Sequence, residues 1–283
     1  MGLPADSHVH SEWSWDTGGP RSHSAGTMEA TCRRAMRIGL PALIFTEHLD
    51  LEDAWRADPQ DLTPVQRPLI NGTGHVDTPT LDIDGYLGSI ERCRALFPDL
   101  RILTGVEFGQ PHLRERRARQ LLDLDALDRV NGSLHTLAWG QDRAEPNTLY
   151  RMWPAEDVMN AYLEEVPRMV AGTGTFAVVT HLDYAVRTWP VDQAGPFDPR
   201  RFEEPFRLAL RAIADSGRAL EMNTRRLWSW LPQWWVEEGG RAVTFGSDAH
   251  VPELLASHFP EAVALLEHYG FTAGRRPEDF WTR

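Results

Sequence analysis

The 283 residues carry 29 basic and 41 acidic side chains, a formal net charge of −12 at pH 7 that is the wrong sign for a general nucleic-acid binder. Every basic residue is an arginine, and the absence of lysine excludes Schiff-base chemistry, a Walker-A phosphate loop, Ser-Lys nucleophiles and a metal pair bridged by a modified lysine. No apolar run nears the ~18 residues of a membrane span, no secretory leader is visible, and two cysteines cannot build a disulfide framework, so a cytoplasmic protein with no membrane segment is expected.

Strand-like apolar runs end near Val9 and His10 and recur at 42–48, 101–108, 129–135, 176–181, 219–224 and 242–250. Helix-like segments at 28–38, 86–97, 113–124, 155–171, 201–215 and 231–238 separate them. This alternation predicts an α/β fold with a mostly parallel sheet. The polar segments 51–84 and 189–199 are too long for ordinary connections and are expected to be loops over a site rather than boundaries, which leaves one domain over residues 1–283. The tract LWSWLPQWW (227–235) is expected to pack in the core.

Six histidines, His8, His10, His48, His135, His181 and His250, fall at or just after the ends of the strand-like runs, and Glu107 and Asp248 share that placement. In parallel barrels this is the end at which active sites are built. His8-Val9-His10 and Asp248-Ala249-His250 are i, i+2 pairs, which in a strand point to one face and present two ligands to one centre. Imidazole and carboxylate donors without a thiolate cluster suit Zn, Mn or Fe in a reactive rather than a structural site. No GxSxG elbow or HExxH helix is present, so a serine hydrolase and a zincin are unsupported.

The strings DSHVHSEWSWDT (6–17), FTEH (45–48), GVEFG (105–109), GSLH (132–135), VTHLD (179–183), LEMNT (220–224) and GSDAH (246–250) together resemble the polymerase and histidinol phosphatase (PHP) superfamily, in its histidinol-phosphatase branch. The resemblance implies a distorted seven-stranded (β/α)7 barrel with two to three divalent first-row metal ions. By that resemblance one metal takes His8, His10, Glu107 and Asp248, a second shares Glu107 and adds His135 and His181, and a third takes His48 and His250. Asp16 is the best-placed residue to complete the third site, with Glu12 and His23 on the same loop as alternatives. Glu107, Asp248 and His250 are read as catalytic.

Three divalent cations outweigh the charges of Asp16, Glu107 and Asp248, so the rim would attract a phosphate dianion although the chain is acidic. A water held between two metals can ionise near neutral pH and attack phosphorus in line. Arg187 and Arg225, each shortly after a strand end, are the candidates for phosphate recognition, with His23 and Ser24 as further hydrogen-bonding groups. Glu12, Trp13 and Trp15 are chemically suited to the cationic end of a substrate. The branch resemblance implies hydrolysis of L-histidinol phosphate to L-histidinol and phosphate. The same site on another small phosphate ester, a nucleotide or an oligonucleotide end is the alternative. A non-catalytic metal-binding module and an amidohydrolase-type deaminase fit the ligand positions less well.

Overall fold

A computed structural model describes residues 2–20, 22 and 26–283. Its main sheet has eight strands: β1 (Asp6–Val9), β2 (Ala42–Leu49), β3 (Arg101–Gly109), β4 (Arg129–Ser133), β5 (Val178–Val179), β6 (Ala219–Asn223), β7 (Ala242–Gly246) and β8 (Trp281–Thr282). They lie side by side in chain order. The first seven run parallel, and β8 pairs antiparallel with β7.

The eighth strand explains how the expected seven-stranded barrel is distorted. β8 occupies the outer edge of β7 only at Ala242 and Val243. Beyond the end of β7 the chain turns to meet β1: Val9 and Ala249 form a parallel bridge, the Asp248 N–H donates to the His8 carbonyl at 2.9 Å, and the His10 N–H donates to the Ala249 carbonyl at 2.9 Å. The curled sheet therefore closes at its C-terminal rim and is pried open below by β8. Asp6 fastens the seam, accepting backbone N–H bonds from Ser247 and Ala256 at 2.9 Å each.

Helices α1 (Met28–Ile38), α2 (Ile83–Leu96), α3 (Pro111–Leu121), α4 (Ala155–Gly172), α5 (Glu203–Asp215), α6 (Trp230–Glu237) and α7 (Phe259–His268) cover the sheet. Strand periodicity explains why: Leu43, Phe45, Val106, Phe108, Val130, Leu220, Met222, Val243 and Phe245 belong to the apolar core under the helices, while their alternate neighbours His48, Glu107, Asn131, Ser133 and Glu221 are buried or nearly so on the other face. The tract at 227–235 joins this core as expected, with Trp235 fully buried and Trp230 and Trp234 packed against Phe206. Helix α7 and strand β8 were not among the expected elements. No helix among the described residues is long and apolar enough to cross a membrane.

A second, three-stranded sheet stands beside the barrel mouth. Trp55–Arg56, from the long 51–84 segment, pairs with Asp142–Ala144, which pairs in turn with Leu137–Trp139. The 51–84 segment thus contains a strand of its own and brings Trp55, Asp61, Leu62 and Gln66 to a cavity at the rim. The 189–199 segment does not lie over that cavity: Trp189 packs instead on Tyr150, Phe197 and Phe202.

Candidate metal centre

Register sets the first two groups of the site. Pairing of β2 with β3 places His48 beside Glu107, and pairing of β3 with β4 places Glu107 beside Asn131. Glu107 is 1% exposed and stands at the middle of the constellation. Its Oε2 lies 3.3 Å from His8 Nε2, 3.4 Å from His10 Nε2 and 3.2 Å from His48 Nδ1. Its Oε1 lies 3.1 Å from His135 Nε2 and 2.6 Å from His181 Nε2. One carboxylate thus faces five imidazoles delivered by four strand ends, β1 supplying two of them.

The remaining predicted groups complete the rim. Asp248 Oδ1 is 3.5 Å from His10 Nε2 and 3.7 Å from His250 Nδ1. Asp16 Oδ2 is 2.7 Å from His250 Nε2 and 3.7 Å from His48 Nε2. Asp16 is therefore the loop acid that reaches the third cluster. Glu12 does not: its carboxylate accepts the Met28 N–H at 2.6 Å and caps α1. His23 and Ser24 lie outside the described residues. One premise of the sequence reading is corrected here, because β7 ends at Gly246 and Asp248 and His250 belong to the following turn. Strand alternation does not aim them; Asp248 sits in the left-handed region at φ 53°, a conformation that aspartate tolerates better than most side chains.

A second layer of polar groups holds the imidazoles. Glu221 Oε1 is 2.9 Å from His8 Nδ1, and its Oε2 accepts the His181 N–H at 2.8 Å. Asp50 Oδ1 is 2.9 Å from His135 Nδ1, and its Oδ2 accepts the Trp15 indole N–H at 2.9 Å. His10 Nδ1 is 2.9 Å from Ser14 Oγ, which donates to Glu47 at 2.7 Å. Ser133 donates to Glu107 Oε1 at 2.6 Å. Such partners fix the tautomer and direct the Nε2 lone pair of His8, His10 and His135 inward. Two glycines leave room for them: a Cβ at Gly246 would stand 1.9 Å from Glu221 Oε1, and one at Gly109 would stand 2.0 Å from Asp50 Oδ1.

Sequence reasoning missed Asp50, Glu221, Glu47 and Ser133. The signals were a carboxylate inside an apolar strand run at Glu221 and Glu47, and an i, i+2 acid after His48 at Asp50. Asp50 also lines the cavity, so the acid count of the rim rises beyond the three residues expected.

The carboxylates and imidazoles of the chain compensate one another: burial opposes charge on His8, His48, His135 and His250, but the facing carboxylates raise all four, so cations bound there would take the place of ring protons. Burial pushes the Glu107 carboxyl up, but the charges on His8, His135 and His48 outweigh it and hold it well below the usual range. Burial likewise opposes ionisation of Asp248, and Arg187, at 2.7 Å, with His8 and His250 overrides it. Burial together with repulsion from His250 and His48 lowers His10 to about 3, which keeps its ring neutral.

Divalent metal ions fit this arrangement. Four trios, His8-His10-Asp248, His8-Glu107-His181, His48-Glu107-His135 and His10-His48-His250, each bring their donor atoms within 4.8 Å of one another. His48 Nδ1 lies 3.2 Å from Glu107 and 3.3 Å from Asp50, and His250 Nε2 lies 2.7 Å from Asp16, so the nitrogens and carboxylates that would ligate ions face one another across a shared centre. Borderline nitrogen and hard oxygen donors suit first-row ions.

A cavity of about 190 Å³ opens above the rim and is lined by Asp16, His48, Glu107, His135, His181, Asp248 and His250. Arg187 and Arg225, the two expected anion-binding residues, also line it. Of the three residues suggested for a cationic substrate end, Trp15 lines the cavity, packed edge-on against Trp55. Trp13 does not, because its indole N–H donates to Ser89 of α2 at 3.0 Å and its ring covers Gly85.

The family model for the PHP domain matches residues 6–225. A protein of Clostridium acetobutylicum named "Probable histidinol-phosphatase" is 25% identical over 93% of this chain and 92% of its own length. A histidinol-phosphatase of Lactococcus lactis subsp. lactis is 27% identical over 94% of this chain and 91% of its own length. The crystal structure of a histidinol phosphate phosphatase from Lactococcus lactis, complexed with zinc, L-histidinol and phosphate, superposes with a TM-score of 0.75 at 23% identity, covering 96% of this chain and 95% of that one.

Proposed function

The chain belongs to the PHP-domain family, and from that premise we propose that it is a metal-dependent phosphomonoesterase that hydrolyses L-histidinol phosphate to L-histidinol and phosphate. The observation that carries the reading is the convergence of five strand-end histidines on Glu107 beside two cavity-lining arginines. Relatives named as histidinol-phosphatases, matched over more than nine-tenths of both lengths, support the choice of substrate.

We assign His8, His10, Asp16, His48, Glu107, His135, His181, Asp248 and His250 as the residues that hold the metal ions. When bound, divalent first-row cations neutralise charge on phosphoryl oxygens and act as Lewis acids. Glu107, with both oxygens turned to imidazoles, is the residue that ties the subsites together. Glu221, Asp50 and Ser14 keep the histidine rings oriented through turnover. Arg187, fixed by Asp248, and Arg225 orient the phosphate group. No serine or aspartate nucleophile is required.

We read residues 1–283 as one catalytic domain, because the sheet draws β1 and β8 from opposite ends of the chain. A cytoplasmic location accords with two buried cysteines, Cys32 and Cys93, that form no disulfide.

The test is a steady-state assay of metal-replete protein on a panel of phosphomonoesters. kcat/KM for L-histidinol phosphate is expected to exceed that for p-nitrophenyl phosphate and nucleoside monophosphates by ~10²-fold or more, since remote binding energy positions only the former. Similar values across the panel would move the substrate to another small phosphate ester, and hydrolysis of none would overturn the enzymatic reading.

A further inference from the structure

Six carboxylates line the rim cavity, and five of them have cationic or imidazole partners. Asp16 faces His250, Asp50 faces His135, Glu107 faces five imidazoles, Asp248 faces Arg187, and Asp61 pairs with Arg151 at 2.5 Å. Glu145 is the sixth. Among the described residues it has no ion-pair partner, and its Oε2 accepts one hydrogen bond, from the Tyr184 hydroxyl at 3.1 Å.

Its place in the fold is set by the small sheet at the barrel mouth. Glu145 directly follows Asp142–Ala144, the strand paired with Trp55–Arg56, so the sheet that carries Trp55 to the cavity carries Glu145 as well. Glu145 and Tyr184 are shared with an adjoining pocket of about 440 Å³, to which Arg187, Arg225 and Arg226 also contribute. The Arg187 guanidinium lies 5.4 Å from the centre of the Tyr184 ring. A single tyrosine ring thus separates the arginine that fixes the phosphate from the unmatched carboxylate.

An uncompensated carboxylate in a partly desolvated wall is costly unless a bound cation completes it. Three arginines nearby would repel the ammonium group of a substrate; burial pushes the Glu145 carboxyl up to about 7, and an ammonium bound beside it would favour its ionised form and offset that repulsion at one point. We propose that Glu145, positioned by Tyr184, is a specificity-determining residue that receives the ammonium group of the substrate, so that the enzyme selects phosphate monoesters of amino alcohols. In such an ester only an O–CH2–CH link separates phosphorus from the ammonium nitrogen, a span suited to one ring. The proposal rests on the phosphatase reading given above.

The test compares wild-type holoenzyme with Glu145→Gln. Competitive inhibition by L-histidinol reads the organic part of the substrate without its phosphate, and inhibition by inorganic phosphate reads the rim; the N-acetyl comparison isolates the ammonium. The ratio of the Ki for L-histidinol to the Ki for phosphate is expected to rise ~10-fold or more, the range for a hydrogen bond to a charged group. The loss of kcat/KM on L-histidinol phosphate should appear in KM and exceed the loss on its N-acetyl derivative by a similar factor. Tyr184→Phe should shift the same ratio in the same direction by less. Should Glu145→Gln fail to fold, Glu145→Asp, which keeps the charge and shortens its reach, is expected to raise the ratio severalfold, and an unchanged ratio in it overturns the proposal. Equal losses on the free amine and its N-acetyl derivative would assign Glu145 to proton transfer or structure and overturn the proposal. A wild type that hydrolyses no phosphate ester would instead overturn the function on which it rests.

Discussion

Strands β3 and β4 carry charged residues toward both ends, and the two ends use them differently. At the N-terminal end, Arg101 pairs with Glu278 at 2.7 Å, and Arg129 donates to the Glu278 carbonyl at 3.0 Å while stacking over Phe280 at 4.4 Å. Each arginine there meets the segment leading into β8. At the C-terminal end, Glu107 of β3 and His135 just past β4 join five more histidines around one centre. Charge that meets one neighbouring segment holds two parts of a chain together. Charge converging from several strands on one carboxylate prepares a place for ions that the chain itself does not supply.

Three substitutions sharpen this contrast. The largest effect is expected from Glu107→Gln, because a neutral amide cannot serve five imidazoles and the ions between them. kcat should fall by at least ~10²-fold, corresponding to ~2.7 kcal/mol or more of transition-state stabilisation, in a steady-state assay at saturating metal. Near-wild-type turnover would break the rim half of the comparison. Asp50→Asn should act through His135, which it orients without belonging to the proposed ligand set, and weaken metal affinity by ~10- to 100-fold in a chelator competition titration. Its kcat loss at saturating metal should be smaller than that of Glu107→Gln. Arg129→Met belongs to the opposite end and should lower Tm by a few degrees, the scale of ~1–2 kcal/mol in a chain of this size, while kcat of the metal-loaded enzyme stays within about twofold. A large kcat loss there would show that the two ends are not separable.

The same contrast explains what could be read in the sequence. The rim histidines were legible because each ends an apolar run, and the fold class followed from the alternation of those runs with helical periodicity. Asp16 is preferred over Glu12 from its place on the loop; the structure puts its carboxylate beside His250 and His48, whereas Glu12 is committed to the N-terminus of α1. Trp13 turned away because residues 11–17 are a turn and a short 3-10 helix, where i, i+2 spacing dictates no shared face. Strand β8, Glu221 and the small sheet depend on partners far along the chain, and local pattern carries no information about them. Glu145 follows a three-residue strand paired with residues almost ninety positions away, so its arrival at the cavity is a tertiary fact.

The central claim is that the rim holds metal ions on which catalysis depends, and elemental analysis of the purified, active protein tests it most directly. The account predicts two to three equivalents of first-row metal per chain, with activity abolished by chelation and restored by Mn, Zn or Fe. Full phosphatase activity in protein carrying well under one equivalent would contradict it.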